Sequence, residues 1–289
     1  MMILNIIFFG STSDSVIVLE KLRRFSPVFC IVTQPARAVG RKQHLIATPV
    51  ELWAKKHDIQ ELTFPSSETK PWLFANEQTV IDTLQLLKAD LLVSASYGQK
   101  IPTETVSGAR FGGLNVHPSL LPRWRGADPV PWAILSGDHQ TGVSVVTLAS
   151  SFDTGNIIAQ KKIPILDTDT SNPLRTKLFE MGANLLTRAL PDFLSGKNKG
   201  RPQLTKGQPY AKRFSREDGF EPWESITHPD EAIRINRKFR ALHPWPGLWT
   251  TFRGKRLKIL GFTTSPTIVQ LEGKKPISWE QFKTAYLAS

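Results

Sequence analysis

The sequence predicts an α/β fold with a mostly parallel sheet in its first two thirds, followed by a small β-rich module. The first observation is the continuous apolar run Ile3–Phe9, which ends in Gly10-Ser11-Thr12, as expected for a strand buried on both faces. The second is the alternation of strand-like and helix-like segments up to residue 194. The third is a polar segment rich in Gly, Pro and Lys, Ser195–Phe214, after which short strand-like runs follow.

Each element of the first part has its own sequence signal. Apolar residues at helical spacing predict a helix over Ser13–Arg24. A short apolar run predicts a second strand at Val28–Val32. Thr48-Pro49-Val50-Glu51 has the form of a capping box with proline at the first helical position, so a helix is expected to begin there. Similar apolar patterns predict helices at Val80–Leu87 and Asn172–Leu194. The remaining predicted strands are Leu91–Val93, Gly113–Val116, Val143–Leu148 and Ile157–Ile165.

The last third of the chain is predicted to form a second, smaller domain. We expect a first domain over residues 1–196, a linker over 197–213 and a C-terminal domain over 214–289. In this last part, Pro229–Leu242 has a helical pattern, and Ser278-Trp279-Glu280-Gln281 is a capping box that begins a closing helix. Three short runs have strand patterns: Trp249–Phe252, Leu257–Phe262 and Thr267–Leu271. About three predicted strands with a closing helix form a small, reduced module.

The charge is positive and unevenly distributed. The net charge is +12, with 16 Lys+Arg against 8 Asp+Glu in residues 201–289 and 21 against 17 in residues 1–200. A basic C-terminal third suits a polyanionic partner such as nucleic acid, although a merely solvated basic surface has the same composition.

Cysteine content and hydropathy indicate the cellular compartment in which the protein is expected. The single cysteine, Cys30, excludes an intramolecular disulfide and fits a reducing compartment. The apolar N-terminus lacks the basic region and cleavage site of a signal peptide, and no apolar run approaches the roughly 20 residues needed to cross a bilayer. We therefore expect a cytoplasmic protein without a membrane partner. The protein is also expected to be a monomer.

Three polar residues in or beside predicted strands are the most informative part of the chain. Asn115 and His117 are two positions apart, so in a strand both side chains point to the same face. Pro118 ends the ladder of that strand because it has no N–H, which leaves both side chains near the carboxyl end, where ligands bind in open α/β sheets. Asp153 follows another predicted strand, and a carboxylate near His117 would raise the pKa of the imidazole and orient its ring.

Each of the three residues also has a structural interpretation on its own. A histidine beside a proline is more often structural than catalytic, and Asp153-Thr154-Gly155 suits an Asx turn. Taken together, an amide, an imidazole and a carboxylate suit proton transfer beside a carbonyl and stabilisation of the oxyanion that forms there.

This stretch resembles the 10-formyltetrahydrofolate-dependent formyltransferases, and the resemblance spans nearly the whole chain. It rests on Asn-x-His-x-Ser-Leu-Leu-Pro at Asn115–Pro122, Arg-aromatic-Arg-Gly at Arg123–Gly126 and Asp-x-Gly at Asp153–Gly155. The resemblance implies a Rossmann-like catalytic domain, N10-formyltetrahydrofolate as formyl donor and an amine as acceptor.

The resemblance also implies roles for the site residues. Asn115 and His117 are expected to bind the developing oxyanion, and His117, with a water held by Asp153, to move the proton from the attacking amine to the folate N10. The expected folate-binding residues are Ser119, Leu120, Leu121, Pro122, Tyr97 and Gly98. No metal is expected, because the chain has no His/Cys cluster at zinc spacing. The chain has neither a glycine-rich dinucleotide-binding fingerprint nor a Walker-type loop, so the sequence does not indicate a nucleotide cofactor.

The flanking parts indicate the acceptor. The family has a single-domain purine-biosynthesis branch, a branch that formylates amino-sugar nucleotides and a branch that formylates initiator methionyl-tRNA; the basic second domain argues against the first. Val32–Lys42 is similar to a basic loop of the tRNA branch, and Gly273–Ser278 to one of its C-terminal elements, whereas His243–Gly247 occurs in the sugar branch too. We therefore expect initiator methionyl-tRNA as acceptor, in the initiation of protein biosynthesis, with contacts from Arg41, Lys42, Arg123 and Arg125.

The chain also departs from the family pattern. Gly10-Ser11-Thr12-Ser13-Asp14 replaces Gly-Thr-Pro-x-Phe, so a polar Asp14 stands where an aromatic residue is usual. Ser150 and Ser151 replace acidic residues before Asp153. The resemblance implies a C-terminal barrel of the OB type, but three predicted strands are too few for a five-stranded barrel, so a reduced, β-barrel-like module is expected. These departures leave two alternatives open: a formyltransferase acting on an amino-sugar nucleotide, and a folate- or RNA-binding protein without catalysis.

Overall fold

The computed structural model describes residues 4–39, 44–204 and 206–287. Its strands are β1 Ile6–Phe9, β2 Val28–Thr33, β3 Arg37–Val39, β4 His44–Ile46, β5 Gln60–Thr63, β6 Leu91–Ala95, β7 Gly113–His117, β8 Arg125–Gly126, β9 Gln140–Thr147, β10 Ile157–Pro164, β11 Tyr210–Ala211, β12 Leu248–Phe252, β13 Lys255–Phe262, β14 Pro266–Leu271 and β15 Ile277–Ser278. Its α-helices are α1 Ser13–Phe25, α2 Pro49–His57, α3 Glu77–Leu86, α4 Thr103–Gly108, α5 Pro129–Leu135, α6 Ser171–Leu194, α7 Trp223–Thr227, α8 Ala232–Leu242 and α9 Trp279–Tyr286. Among the helices described, none is both long and apolar enough to span a membrane.

The two helices predicted from capping boxes begin where the sequence indicates, with one difference in the bonds at the cap. At α9 both halves of the predicted box form, between Ser278 and Gln281. At α2 the Thr48 hydroxyl accepts from the main-chain N–H of Glu51, but the Glu51 carboxylate turns to Lys55, 2.6 Å away. The predicted reciprocal bond is therefore replaced by an ion pair one turn along the helix.

Within the described residues, the main sheet has seven strands in the order β10-β9-β7-β6-β1-β2-β5. β5, β2, β1, β6 and β7 run parallel, and β9 is antiparallel to β7. The chain builds outward from β1 to β5 on one side and then from β6 to β7 on the other. Between β1 and β6 the strand order therefore reverses, and in open α/β sheets ligands bind beyond the strand ends at such a point. The predicted fold class is confirmed: a Rossmann-like, mostly parallel sheet with a small antiparallel C-terminal sheet.

Packing on the sheet fixes the strands near this switch point. Phe9 at the end of β1 lies edge-on to Tyr97, with ring centroids 5.4 Å apart, inside a buried cluster that also contains Cys30. On α6, a Cβ at Gly182 would lie 2.5 Å from Val116, so glycine allows this helix to rest directly on β7. The strand that holds Asn115 and His117 is thus rigidly supported.

The chain divides into two compact units. The first contains Met1–Ala127, Gly142–Lys162 and Arg175–Tyr210, and the second contains Asp128–Thr141, Ile163–Leu174 and Ala211–Ser289. Each unit is discontinuous along the chain. The expected boundaries at 196 and 213 stay a prediction.

The second unit has its own core. Its sheet has the order β12-β13-β14-β15, with antiparallel pairing throughout. Aromatic rings fill the centre, where Trp223 lies 5.0 Å from Phe252 between ring centroids. The buried carboxylate of Glu221 accepts from Arg234 and Lys238 of α8, at 2.8 and 2.7 Å. Part of the basic excess predicted to face nucleic acid is therefore used in internal ion pairs.

Candidate functional site

Two predicted site residues occupy β7 at the carboxyl edge of the sheet. Asn115 pairs with Ser94 of β6, and His117 pairs with Ser144 of β9. His117 is buried, with 5% of its surface exposed, and Asn115 is half-buried. Because the two residues are two positions apart, their side chains extend from the same face of the strand.

Asp153 reaches this face through a tight loop after β9. Because β9 is antiparallel to β7, it ends at Thr147, opposite Leu114, and the chain must turn back to reach His117. Asp153 adopts a left-handed backbone conformation with φ +57°. A Cβ at Gly155 would lie 1.8 Å from the Thr147 carbonyl oxygen, so only glycine allows this close approach.

The carboxylate of Asp153 joins three groups. One oxygen lies 3.3 Å from Nδ1 of His117 and accepts from Nδ2 of Asn115 at 3.2 Å. The other oxygen accepts from the main-chain N–H of Gly126 at 3.0 Å. The His117 and Asp153 side chains are only 6% and 9% exposed, so water screens this ion pair weakly. The structure thus brings together the amide, imidazole and carboxylate that the sequence singled out.

The two nitrogens of His117 both face acceptors. Nε2 lies 2.9 Å from the main-chain carbonyl oxygen of Trp124, and since a carbonyl cannot donate, Nε2 carries the hydrogen. Nδ1 faces the Asp153 carboxylate, so the doubly protonated ring satisfies both contacts.

The ionisation of the pair follows from these contacts. Burial by itself lowers the pKa of His117, but the Asp153 charge and the bonds to Asp153 and Trp124 outweigh burial, and hold the pKa above its ordinary value. Burial raises the pKa of Asp153, but His117, the Gly126 N–H and Arg125 outweigh it and hold the pKa below its ordinary value. These contacts therefore favour the imidazolium over the neutral ring and the carboxylate over the neutral acid.

The segment after β7 is a hydrogen-bonded turn. The Ser119 hydroxyl donates to the Arg123 carbonyl oxygen at 2.8 Å, and the Ser119 carbonyl accepts from the Ser144 hydroxyl at 2.6 Å. The Ser144 oxygen also accepts from the Leu121 N–H at 3.1 Å, and Gln160 donates to the Leu121 carbonyl at 2.8 Å. Ser119 and Leu121 are buried, whereas Leu120 and Pro122 are half-buried and offer apolar surface.

The other predicted residues lie in different surroundings. Tyr97 and Gly98 follow β6, the neighbour of β7, but the Tyr97 ring is 4% exposed and belongs to the sheet's core cluster. Gly98 is exposed with φ +88°, a conformation that favours glycine. The Arg123 guanidinium lies over the Trp124 ring, 4.5 Å from its centroid.

Two of the residues predicted to contact tRNA, Arg41 and Lys42, lie outside the described residues. Arg125 is half-buried, and its charge contributes to the low pKa of Asp153.

Sequence reasoning missed two residues near Asp153. Nε2 of Gln203 donates to the carbonyl oxygens of Asp153 and Gly155, at 2.8 and 2.7 Å. Tyr210, 58% exposed, lies close enough to the Asp153 charge that its pKa is raised, after the larger effect of burial. Both residues fall in the segment predicted as a linker, where composition gives no signal for a site. Across the described ranges, no group of three His, Cys, Asp or Glu side chains could hold a metal ion.

Family models match most of the chain. The model described as formyl transferase matches residues 4–190, and that described as formyl transferase, C-terminal domain, matches residues 224–267. The residues 115–126 and 153–155 that suggested a formyltransferase lie inside the first match.

Sequence relatives match over nearly the full length. Methionyl-tRNA formyltransferase of Listeria welshimeri is 38% identical over 268 residues, which covers 93% of this chain and 82% of the relative. The enzyme of the same name from Listeria monocytogenes serovar 1/2a is 39% identical over 272 residues, covering 94% and 82%. That of Halalkalibacterium halodurans is 35% identical over 257 residues, covering 89% and 77%.

Solved structures share the fold at lower identity. HypX from Aquifex aeolicus in complex with tetrahydrofolic acid superposes with a TM-score of 0.61 and 16% identity, over all of this chain and 48% of that protein. A sugar N-formyltransferase from Shewanella sp. superposes with a TM-score of 0.64 and 18% identity, over 90% of this chain and 98% of that one. At these identities the likeness concerns the fold alone.

Proposed function

The chain belongs to the formyl transferase family and is a formyl-transferring enzyme, and from that membership we propose that it formylates the amino group of initiator methionyl-tRNA with N10-formyltetrahydrofolate as donor. The donor would supply the formyl carbon as the electrophile. The observation that carries the proposal is the contact of Asp153 with both Asn115 and His117, which presents an amide and an imidazolium at the carboxyl edge of the sheet.

Asn115 and His117 are the proposed oxyanion donors. The Nδ2 group of Asn115 has two hydrogens, of which Asp153 accepts one, so the second is available to a substrate oxygen. The Nε2 hydrogen of His117 is donated to the Trp124 carbonyl. We expect the formyl oxygen to replace this carbonyl as acceptor, so that the imidazolium stabilises the negative charge as it develops.

His117 is also the proposed proton carrier. As the bond between the formyl carbon and the donor N10 breaks, the His117 imidazolium gives its proton to N10, and the proton of the attacking amine restores the imidazolium. Asp153 keeps the ring charged and oriented through the contact at Nδ1, with a water held beside it as the relay to the amine. Each proton lost by one group is gained by another, so no external base is required.

The donor pocket is proposed at the turn after β7. The half-buried side chains of Leu120 and Pro122 suit the flat face of a pterin ring, while Ser119 and Leu121 hold the turn through Ser144. Tyr97 and Gly98 follow the adjacent parallel strand and border the same crevice from the side of the switch point. Because Tyr97 is buried, we assign it to the wall of this pocket rather than to a direct hydrogen bond.

The acceptor assignment rests on the relatives at 35–39% identity and on the basic residues near the site. Arg123 is exposed and stacks on Trp124, so its guanidinium can meet a phosphate without a large loss of side-chain entropy. Arg125 is nearer the reacting groups, and Arg41 and Lys42 are proposed contacts to the acceptor end of the tRNA. A charged tRNA acceptor also implies a cytoplasmic enzyme; we propose that it acts as a monomer.

The proposal is tested by mixing the purified protein with methionyl-tRNA and N10-formyltetrahydrofolate and measuring N-formylmethionyl-tRNA. A parallel reaction with an amino-sugar nucleotide tests the sugar alternative. We expect transfer to the tRNA that weakens steeply with salt, because phosphate contacts release counterions. Arg41→Ala should weaken transfer to tRNA without changing the affinity for the folate.

Two outcomes would contradict the proposal. Transfer to the sugar nucleotide with a higher kcat/KM than to tRNA would favour the sugar branch. Folate or RNA binding with no transfer to either acceptor would indicate a protein without catalysis.

A further inference from the structure

We propose that Gln203 is a positioning residue that clamps the Asp153-Thr154-Gly155 turn and thereby keeps the Asp153 carboxylate against His117. Its kinetic consequence rests on the formyl transfer proposed above, whereas its effect on His117 does not. Gln203 lies 50 residues beyond Asp153, in the segment that the sequence predicted to be a linker.

One amide spans both sides of the turn. Nε2 of Gln203 donates to the Asp153 carbonyl oxygen at 2.8 Å and to the Gly155 carbonyl oxygen at 2.7 Å. Because both partners are carbonyls, the amide nitrogen must face them, so its orientation follows from the contacts. The two bonds fix the main chain on either side of Thr154.

The turn is held from the sheet side by other contacts. The N–H of Asn156 donates to the Thr147 hydroxyl at 2.8 Å, and the Asn156 carbonyl accepts from the Thr147 N–H at 2.9 Å. These bonds lie beyond Gly155, whereas Asp153 precedes it in a left-handed conformation that an aspartate does not prefer. Gln203 therefore acts on the side of the turn that bears the carboxylate, where a shift changes the distance to His117.

The effect of the Gln203 clamp should appear in the pKa of His117, which depends on the charged groups around the imidazole. Asp153 is the anion in contact with His117, Arg125 is a cation near that anion, and Tyr210 is a further titratable group near it. Loss of the clamp moves Asp153 away while Arg125 remains, so the pKa of His117 falls. A change confined to general stability has no such effect on the folded protein.

The test compares Gln203→Met with the parent protein. Methionine keeps the length and removes both donated bonds; it also removes the buried Oε1, which has no hydrogen-bond partner among the described residues, so the fold should persist. The pKa of His117 is measured by NMR titration of its ring, and kcat by formyl transfer. We expect the pKa of His117 to fall and kcat to fall about 10- to 100-fold, with little change in folate KM.

Two further variants sharpen the result. Asn198→Ala is the matched control, since Asn198 anchors the same segment by donating to the Ile158 carbonyl at 3.0 Å, away from Asp153. It should leave the pKa of His117 and kcat unchanged. Gln203→Asn is one methylene shorter and cannot keep both bonds at full strength, so it should give an intermediate fall in both quantities.

The outcomes are separable from the proposed reaction. A fall in the pKa of His117 without any formyl transfer by the parent protein would support the clamp and contradict the function. An unchanged pKa and a kcat within twofold of the parent in folded Gln203→Met would overturn the clamp. An equal effect in Asn198→Ala would also overturn it, because the role would then be general anchoring of the segment.

Discussion

Replacing Asp153 by asparagine removes one charge and almost no volume, so it isolates the electrostatic part of the site. In the parent protein the carboxylate contacts His117, Asn115 and Gly126 at 3.3, 3.2 and 3.0 Å. An amide has one acceptor atom. If that oxygen keeps the Gly126 N–H, the amide N–H₂ faces Nδ1 of His117, which must then lose its proton.

The magnitude follows from this rearrangement. The neutral ring can keep its bond from Nε2 to Trp124 and accept at Nδ1, so the main structural loss is the acceptor for Asn115. A fully buried donor without a partner costs about 1–3 kcal/mol, and because Asn115 is half-buried the loss should lie toward the lower end of that range. Loss of the imidazolium removes the proton carrier, for which we expect kcat to fall by about 10²- to 10⁴-fold, or about 3–5 kcal/mol in activation free energy.

The assay measures kcat against pH for formyl transfer, together with the folate KM and the free energy of unfolding in urea. Asp58→Asn is the matched control: Asp58 is exposed at the end of α2 and has φ +54°, close to the φ +57° of Asp153. The same substitution in the same backbone conformation should leave kcat unchanged there. A kcat for Asp153→Asn within ~10-fold of the parent, with an unaltered pH profile, would refute the role of Asp153.

Three other predictions concern stability. The ion pair of His117 and Asp153 should stabilise the fold at intermediate pH. Its contribution is lost as pH falls through the lowered pKa of Asp153 and as pH rises through the raised pKa of His117. Equal profiles of unfolding free energy against pH for the parent and Asp153→Asn, measured by urea denaturation, would contradict this. Gly155→Ala places a Cβ 1.8 Å from a carbonyl oxygen and should cost about 1–3 kcal/mol or more, read from the thermal midpoint; no change in the midpoint would mean that the turn relaxes freely. Arg175→Met removes the partner 2.7 Å from buried Asp14, whose pKa is raised by burial against the opposing effect of Arg175. The loss of unfolding free energy should stay below the roughly 3–5 kcal/mol of a fully buried pair, because Arg175 is 43% exposed. The loss should grow as pH rises, and a pH-independent loss would argue against this reasoning.

Local patterns determined the elements with strong periodicity. The helix predicted at Asn172–Leu194 begins one residue earlier, at Ser171, and the strand at Gly113–Val116 extends by one residue to His117. Their apolar spacing is dictated by burial, so the pattern is present in the sequence itself. β5, Gln60–Thr63, was missed because this partly exposed edge strand has no apolar alternation to detect.

Family membership also came from local sequence. The motifs at Asn115–Pro122 and Asp153–Gly155 predicted a formyltransferase, and the family models and relatives confirm it. The roles assigned to individual residues in these motifs stay predictions, because nothing in the fold alone tests them.

The unusual Asp14 shows what pattern alone could not explain. The sequence marked it as a departure where an aromatic residue was expected, without indicating a partner. The structure pairs it with Arg175, 161 positions away along the chain, in a contact of 2.7 Å. A buried carboxylate needs such a partner, and only the folded chain determines which cation supplies it.

The sequence by itself determined which chemical groups this protein can use: an amide and an imidazole two positions apart on a strand, and a carboxylate before a glycine. The tertiary structure brings these three side chains into contact, because β9 runs antiparallel to β7 and Gly155 allows the chain to turn back against Thr147. It also decided the ionisation of His117, since both ring nitrogens face acceptors in a buried site, and it brought in Gln203 from a segment with no sequence signal. Side-chain chemistry is local, but distance, burial and hydrogen-bond partners depend on residues far apart along the chain, and these set what that chemistry can do.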